Sequence, residues 1–153
     1  MLLICAFVLG FVAGLRTMMA PAVVSWCART GILAVAGTPL AFMGYKYTPL
    51  IFTLLAVAEL ITDTLPVTPS RKTPPQFIAR VVSGSLVGAT IGAAGNSLVT
   101  GLLLGALGAV AGTLGGAAAR GKLAAAFGRD LPAALIEDLA AIAIAVVAML
   151  RFA

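Results

Sequence analysis

From position 81 to position 119 the chain carries no charged residue. A stretch this long and this apolar cannot form the surface of a water-soluble domain, because apolar runs of about 18 residues or more mark membrane-crossing helices. A turn-like pair, Gly95-Asn96, divides it. The result is two helices, residues 74–94 and 97–119, joined so tightly that they must return on each other as an antiparallel hairpin. Both carry glycines at helical spacing: Gly84, Gly88 and Gly92 on the first, and Gly101, Gly105, Gly108, Gly112 and Gly116 on the second. Such a stripe lets a neighbouring backbone approach closely. The stripes are expected to face each other or a second subunit as a glycine zipper. The alternative is the wall of a pore or of a ligand groove.

Composition points the same way. The chain is 61% hydrophobic and 10% charged, where a soluble domain has about 25% charged residues. Lipid must therefore be the solvent for most of it. No strand-like alternation is visible, which argues against a barrel. The net charge is +5, but the basic residues sit in short loops. That pattern fits a cytoplasmic membrane face and anionic headgroups better than nucleic acid. There is no histidine, which argues against the usual zinc and haem sites. No cofactor is expected, although a bound cation is compatible with the acidic residues described below. Cys5 and Cys27 would lie about 33 Å apart on one helix, too far for a disulfide, and read as small buried residues. The N-terminal run MLLICAFVLGFVAG has no basic residues ahead of it and reads as a retained membrane helix rather than a leader.

Taken in order, a first helix is expected over residues 2–28. It carries a Gly10/Gly14 pair for close packing, an intramembrane Arg16, and Pro21, which should kink or split it. Arg16 either snorkels to a headgroup or partners a carboxylate or an anion. Residues 29–47 are too short an apolar stretch to cross and are bracketed by Trp26, Tyr45 and Tyr47, so an interfacial or re-entrant piece is expected, with Thr38-Pro39 starting a short helix. Thr48-Pro49 opens a helix to about residue 65 that holds Glu59 and Asp63 four residues apart, hence on one face. Each acid costs up to about 3 kcal/mol at mid-bilayer, so the two must lie near one end, be protonated or face partners. A stiff basic Pro-rich loop with Arg71 and Lys72 follows, and Thr73, Pro74 and Gln76 start the next helix as a capping box, with Arg80 near its beginning. After the glycine hairpin comes a second basic loop with Arg120, Lys122 and Arg129. Asp130 and Pro132 then open a last helix, residues 130–150, that carries Glu137 and Asp138.

The fold class expected is thus an all-α integral membrane protein, one domain over residues 1–153, with about five transmembrane helices and one short interfacial or re-entrant helix. Five spans place the two basic loops on one side. By the positive-inside rule that side is cytoplasmic, with the N-terminus inside and the C-terminus outside a cell inner membrane. Measured from that side, Glu59 and Asp63 lie about 3 to 9 Å deep, Arg80 about 8 Å and Glu137 and Asp138 about 10 Å. With Arg16 they form a layer of four carboxylates and two arginines. Intramembrane charges are functional-site candidates and are usually paired. Here they make either a girdle of structural salt bridges or a site for a cation, a proton or a headgroup. At neutral pH one acid should be protonated or a cation bound. A faint symmetry relates the first two helices to the last two in inverted sense, as in some transporters.

Three segments, GLRTMMAPAVVSW (14–26), ELITDTLPVTPSRKTPPQFIARVVSGSLVGA (59–89) and DLPAALIEDLAAI (130–142), resemble a family of small bacterial multi-span membrane proteins, domain-of-unknown-function family 4126. The resemblance implies a multi-span membrane protein and brings no established activity. On the residues themselves, three functions compete. The leading one is a small ion, proton or solute transporter or channel, assembled as a homo-oligomer given the short chain, with Glu59, Asp63, Arg80, Glu137, Asp138 and Arg16 as its site. A non-catalytic scaffold would use the glycine stripes for assembly and Arg71, Lys72, Arg120, Lys122 and Arg129 for anionic lipid or a partner. An enzyme acting on lipid headgroups would hold Mg²⁺ on the carboxylates. The charge distribution generates a topological prediction: a Lys72→Cys variant should resist labelling by an impermeant thiol reagent added outside intact cells. Labelling from outside would reverse the assignment.

Overall fold

The computed structural model describes residues 1–63 and 73–150. Within them every regular element is helical: α1 (Leu2–Leu15), α2 (Met19–Arg29), a short 3-10 turn (Ala41–Gly44), α3 (Thr48–Thr62), α4 (Pro74–Ala94), α5 (Leu98–Phe127) and α6 (Asp130–Leu150). Three of these, α4, α5 and α6, are long and apolar enough to cross a membrane, while α1 and α3 are apolar but shorter. At 14 residues, α1 is only about 21 Å long.

The core is a triplet of α1, α4 and α5, with α6 laid against α5 and α1, and α2 with α3 on the flank. Its packing follows from the glycines. A methyl group added at Gly88 would run into the backbone of Gly101 and Gly105, and one at Gly105 into the backbone of Gly84 and Gly88. In lipid, where water drives nothing together between helices, such backbone-to-backbone contact is a main source of attraction. The expected α4–α5 contact accounts for only part of the stripe. Gly108 meets Phe7 and Phe11, and Gly112 meets Phe11 and Gly14, so these two receive α1 rather than α4. Gly116 is buried further along α5. Positions 101, 105, 108 and 112 share one helix face, and that face takes two neighbours.

The boundaries of α4 and α6 match the sequence expectation, and three features differ from it. The first apolar stretch divides at Arg16, whose backbone is extended (φ −136°, ψ 114°), and not at Pro21. Proline is tolerated in a first helical turn, and Pro21 occupies that position in α2. The second expected basic loop is mostly helix. Arg120 and Lys122 lie within α5, which stops only at Gly128, a left-handed C-cap with φ 65°. Finally, the short helical element in residues 29–47 is a 3-10 turn at Ala41–Gly44 and not a helix begun at Thr38-Pro39, and Leu33, Val35, Leu40 and Met43 join the same buried core as α1, α4 and α6.

The division at Arg16 also relocates the N-terminus. Leu2 touches Gly95 at the α4–α5 turn, and Met1, Ile4, Cys5 and Val8 line one apolar groove with Ala143, Ile144, Val147 and Ala148 of α6. Met1 and the end of α6 therefore lie at the same end of the bundle, where the sequence placed the chain termini on opposite sides. The acidic residues and their arginine partners collect toward the other end.

A test of the packing contrasts two glycines of α5. At Gly105 an added methyl meets backbone on α4, whereas at Gly115 it meets nothing within 4 Å. Gly105→Ala should lower stability by about 1–3 kcal/mol, the usual cost of overpacking, and Gly115→Ala should be neutral. Thermal melting in detergent distinguishes them, and equal melting of the two variants would contradict the contact.

Candidate functional site

A helix interrupted inside an apolar bundle exposes carbonyls at its first stump and amides at its second. Here charged side chains from other helices take both sets. At the end of α1, Arg80 Nη1 donates to the carbonyls of Gly14 (2.8 Å) and Leu15 (2.6 Å). At the start of α2, the amides of Thr17 and Met18 donate to the two oxygens of Glu59, at 2.7 and 2.8 Å. Two hydroxyls complete the break. Ser83 donates to the Thr17 carbonyl at 2.5 Å, and Thr113 donates to the Gly14 carbonyl at 3.2 Å. The charges match the helix ends, a cation at the carbonyl end of α1 and an anion at the amide end of α2.

Arg16 sits in the break itself. Its guanidinium bridges Asp63, at the end of α3, and Asp138 on α6. Arg16 and Arg80 are the two bulkiest fully buried side chains of the described residues, each 1% exposed. Arginine buried to that degree requires partners. Arg80 also approaches Glu59 at 3.8 Å.

A third arginine extends the layer to the rim. Arg120 grips Asp130 through two bonds, Nε to Oδ1 at 2.9 Å and Nη2 to Oδ2 at 2.5 Å. Its Nη1 lies 3.7 Å from Glu137. Exposure falls along this line, from 63% for the Asp130 side chain to 16% for Arg120 and 7% for Glu137. α2 runs antiparallel to α3, joined near its far end by a bond from Trp26 Nε1 to Thr53 at 3.1 Å.

All six residues singled out in the sequence, Arg16, Glu59, Asp63, Arg80, Glu137 and Asp138, thus meet in one layer. Arg120 belongs with them and not with the lipid-facing basic residues, since it is paired to acids on α6. Lys122 and Arg129 are exposed at that end, and Arg71 and Lys72 lie outside the described residues. The chain has five acidic residues, and each of them, Glu59, Asp63, Asp130, Glu137 and Asp138, pairs with Arg16, Arg80 or Arg120. Among the described residues these five carboxylates pair with three arginines. They are interleaved with cations, and no three His, Cys, Asp or Glu side chains among the described residues come together as a metal site. Sequence reasoning missed Ser83, Thr113 and the backbone of residues 14–18. Serine and threonine inside apolar helices were the available signal.

Arg80 and Glu59 offer a direct test. Arg80→Met leaves the Gly14 and Leu15 carbonyls without that donor and Glu59 without its counter-charge, which should cost about 3–5 kcal/mol. Adding Glu59→Gln should cost less than the two single losses summed, with a coupling of about 0.5–3 kcal/mol. A double-mutant cycle by thermal or denaturant melting in detergent measures this, and strict additivity would show that the two do not act on each other.

No protein-family model, curated protein or solved structure matches the chain, so its function is argued from this geometry alone.

Proposed function

We propose that the protein is a small membrane transporter or channel for a cation, a proton or a small solute, with the interrupted α1–α2 segment and its carboxylate–arginine layer as the working site. The observation that carries this reading is the helix break beside buried ionised groups. Unwound backbone at membrane depth is tolerated where it is enclosed by protein or lines a cavity, and transporters use discontinuous helices of this kind to bind ions and charged substrates. The descending exposure from Asp130 through Arg120 to Glu137 supplies a route inward from one end of the bundle.

The basic residues Arg120, Lys122 and Arg129 make that end the cytoplasmic one by the positive-inside rule. Met1 and the end of α6 would then face outward across a cell inner membrane. A homo-oligomer in contact with anionic lipid would be the working unit of so short a chain. One observation favours a second reading, a non-catalytic scaffold: the backbone groups of the break are already bonded to Glu59 and Arg80, as a structural lock would require.

Liposomes containing the purified protein separate the two. Under a cation or pH gradient the wild-type protein should carry a flux above that of empty liposomes, and Glu137→Gln should reduce it while assembly persists. Absence of any wild-type flux, with assembly intact, would favour the scaffold.

A further inference from the structure

We infer that the far end of the α5–α6 hairpin is a docking surface for anionic phospholipid. Lys122 and Arg129 hold the phosphodiester headgroups of one leaflet, and Phe127 and Leu131 lie at the edge of its acyl chains. The inference rests on the membrane reading above and deepens it, giving the general contact with anionic lipid a place in the fold and a headgroup class. It does not require transport.

The surface arises from a mismatch of helix lengths. Gly84 packs on Gly105 and Ala109, Gly88 on Gly101 and Gly105, and Gly92 on Ser97 and Gly101. That antiparallel register, continued to the start of α4, puts Pro74 beside about residue 117 of α5. α1 ends sooner, at Leu15, just past the contact of Gly14 with Ala109, Gly112 and Thr113. α5 runs on to Phe127. Residues 118–127, about 15 Å of helix, therefore pass beyond both core neighbours. None of these residues is buried, and a methyl added at Gly121 would meet nothing within 4 Å. α6 accompanies them through the grip of Arg120 on Asp130. With 30 residues, α5 is about 45 Å long, where a hydrocarbon core is about 30 Å thick and the bilayer with its headgroups about 40–45 Å. A helix of this length that crosses the core from the α4–α5 turn brings its last turns into one headgroup layer.

Charge selects what that layer contains. The two acids of this end, Asp130 and Glu137, pair with Arg120. Lys122 and Arg129 are exposed and have no acidic partner among the described residues. Phe127 and Leu131, their neighbours in sequence, are 52% and 54% exposed. Bulk water suits the two cations and leaves both apolar side chains wet, and hydrocarbon does the reverse. The headgroup boundary satisfies both, because apolar groups settle at the acyl edge while long cationic side chains reach the phosphates. A second copy of the chain would bring the same two cations to such a contact, so two of these ends repel. An anionic headgroup layer is complementary to them.

The experiment places the full chain in nanodiscs of phosphatidylcholine alone or of an equal mixture with phosphatidylglycerol, and follows amide hydrogen exchange by mass spectrometry. Residues 118–131 should exchange more slowly in the mixture, and the difference should shrink as salt is raised. Two cations near an anionic surface account for about a 30-fold preference. Lys122→Gln combined with Arg129→Gln should therefore remove most of the difference, while the melting of the variant in phosphatidylcholine stays at the wild-type value because both side chains are exposed. Equal exchange in the two discs, or a difference that survives the double substitution, overturns the inference. Protection by inorganic phosphate in phosphatidylcholine discs at matched ionic strength would mark a free-anion site and overturn the lipid assignment. Protection that follows the number of protein copies per disc, and not the headgroup, would assign the surface to a second copy and overturn it as well. Liposome flux keeps this inference apart from transport. Flux without protection by phosphatidylglycerol leaves transport standing and removes the site. Protection that the double substitution abolishes, without flux, removes transport and keeps the site.

Discussion

A helix that stops inside an apolar bundle leaves carbonyls and amides that water cannot reach, and the rest of this molecule is arranged around satisfying them. Arg80 takes the carbonyl end of α1 and Glu59 takes the amide end of α2. Each is a charged side chain matched to the partial charge of a helix terminus. The arrangement is self-consistent: burying Arg80 and Glu59 would be very costly without the break, and the break would be equally costly without them. Ser83 and Thr113 add neutral hydrogen bonds to the same short stretch.

Delivering those side chains requires helices that come unusually close. Arg80 reaches Gly14 because α4 and α1 both rest on one glycine face of α5, with Gly84 and Gly88 against Gly105, and Gly14 against Ala109, Gly112 and Thr113. A side chain at Gly14 or Gly105 would push the backbones apart and withdraw the break from its partners. Packing in the apolar half and electrostatics at the other end are therefore one problem, joined through α1. The short length of α1 follows from the same geometry, since it needs to reach only from the α4–α5 turn to the layer.

The layer concentrates every acidic residue of the chain on three arginines. A membrane protein that needed only stability could have replaced such pairs by apolar side chains at little loss. Retaining them is the feature that makes a structural element a candidate functional site. The two buried arginines divide the work. The one bonded to main chain maintains the break, and the one held by carboxylates ties the break to α3 and α6.

Much of this was legible in the sequence because its causes are local. Pro49, Pro74 and Pro132 lie in the first turns of α3, α4 and α6, where a missing amide costs little, and Gly95-Asn96 ends a helix. The cost of a charge in lipid was enough to single out Arg16, Glu59, Asp63, Arg80, Glu137 and Asp138, and helix rise alone put all but Arg16 at similar depths. What the tertiary structure decided concerns partners. Only folding places Arg80 on the carbonyls of residues 14 and 15, which strengthens the break at Arg16 over the more conspicuous Pro21. Only the acids of α6 show that Arg120 is a helical member of the layer and no loop cation. Only the shared face of α5 assigns Gly108 and Gly112 to α1 and brings Met1 to the same end as the last turn of α6. Helix starts and the expense of charge are properties of a few neighbouring residues. Which charge satisfies which backbone group depends on segments more than 60 positions apart meeting in space.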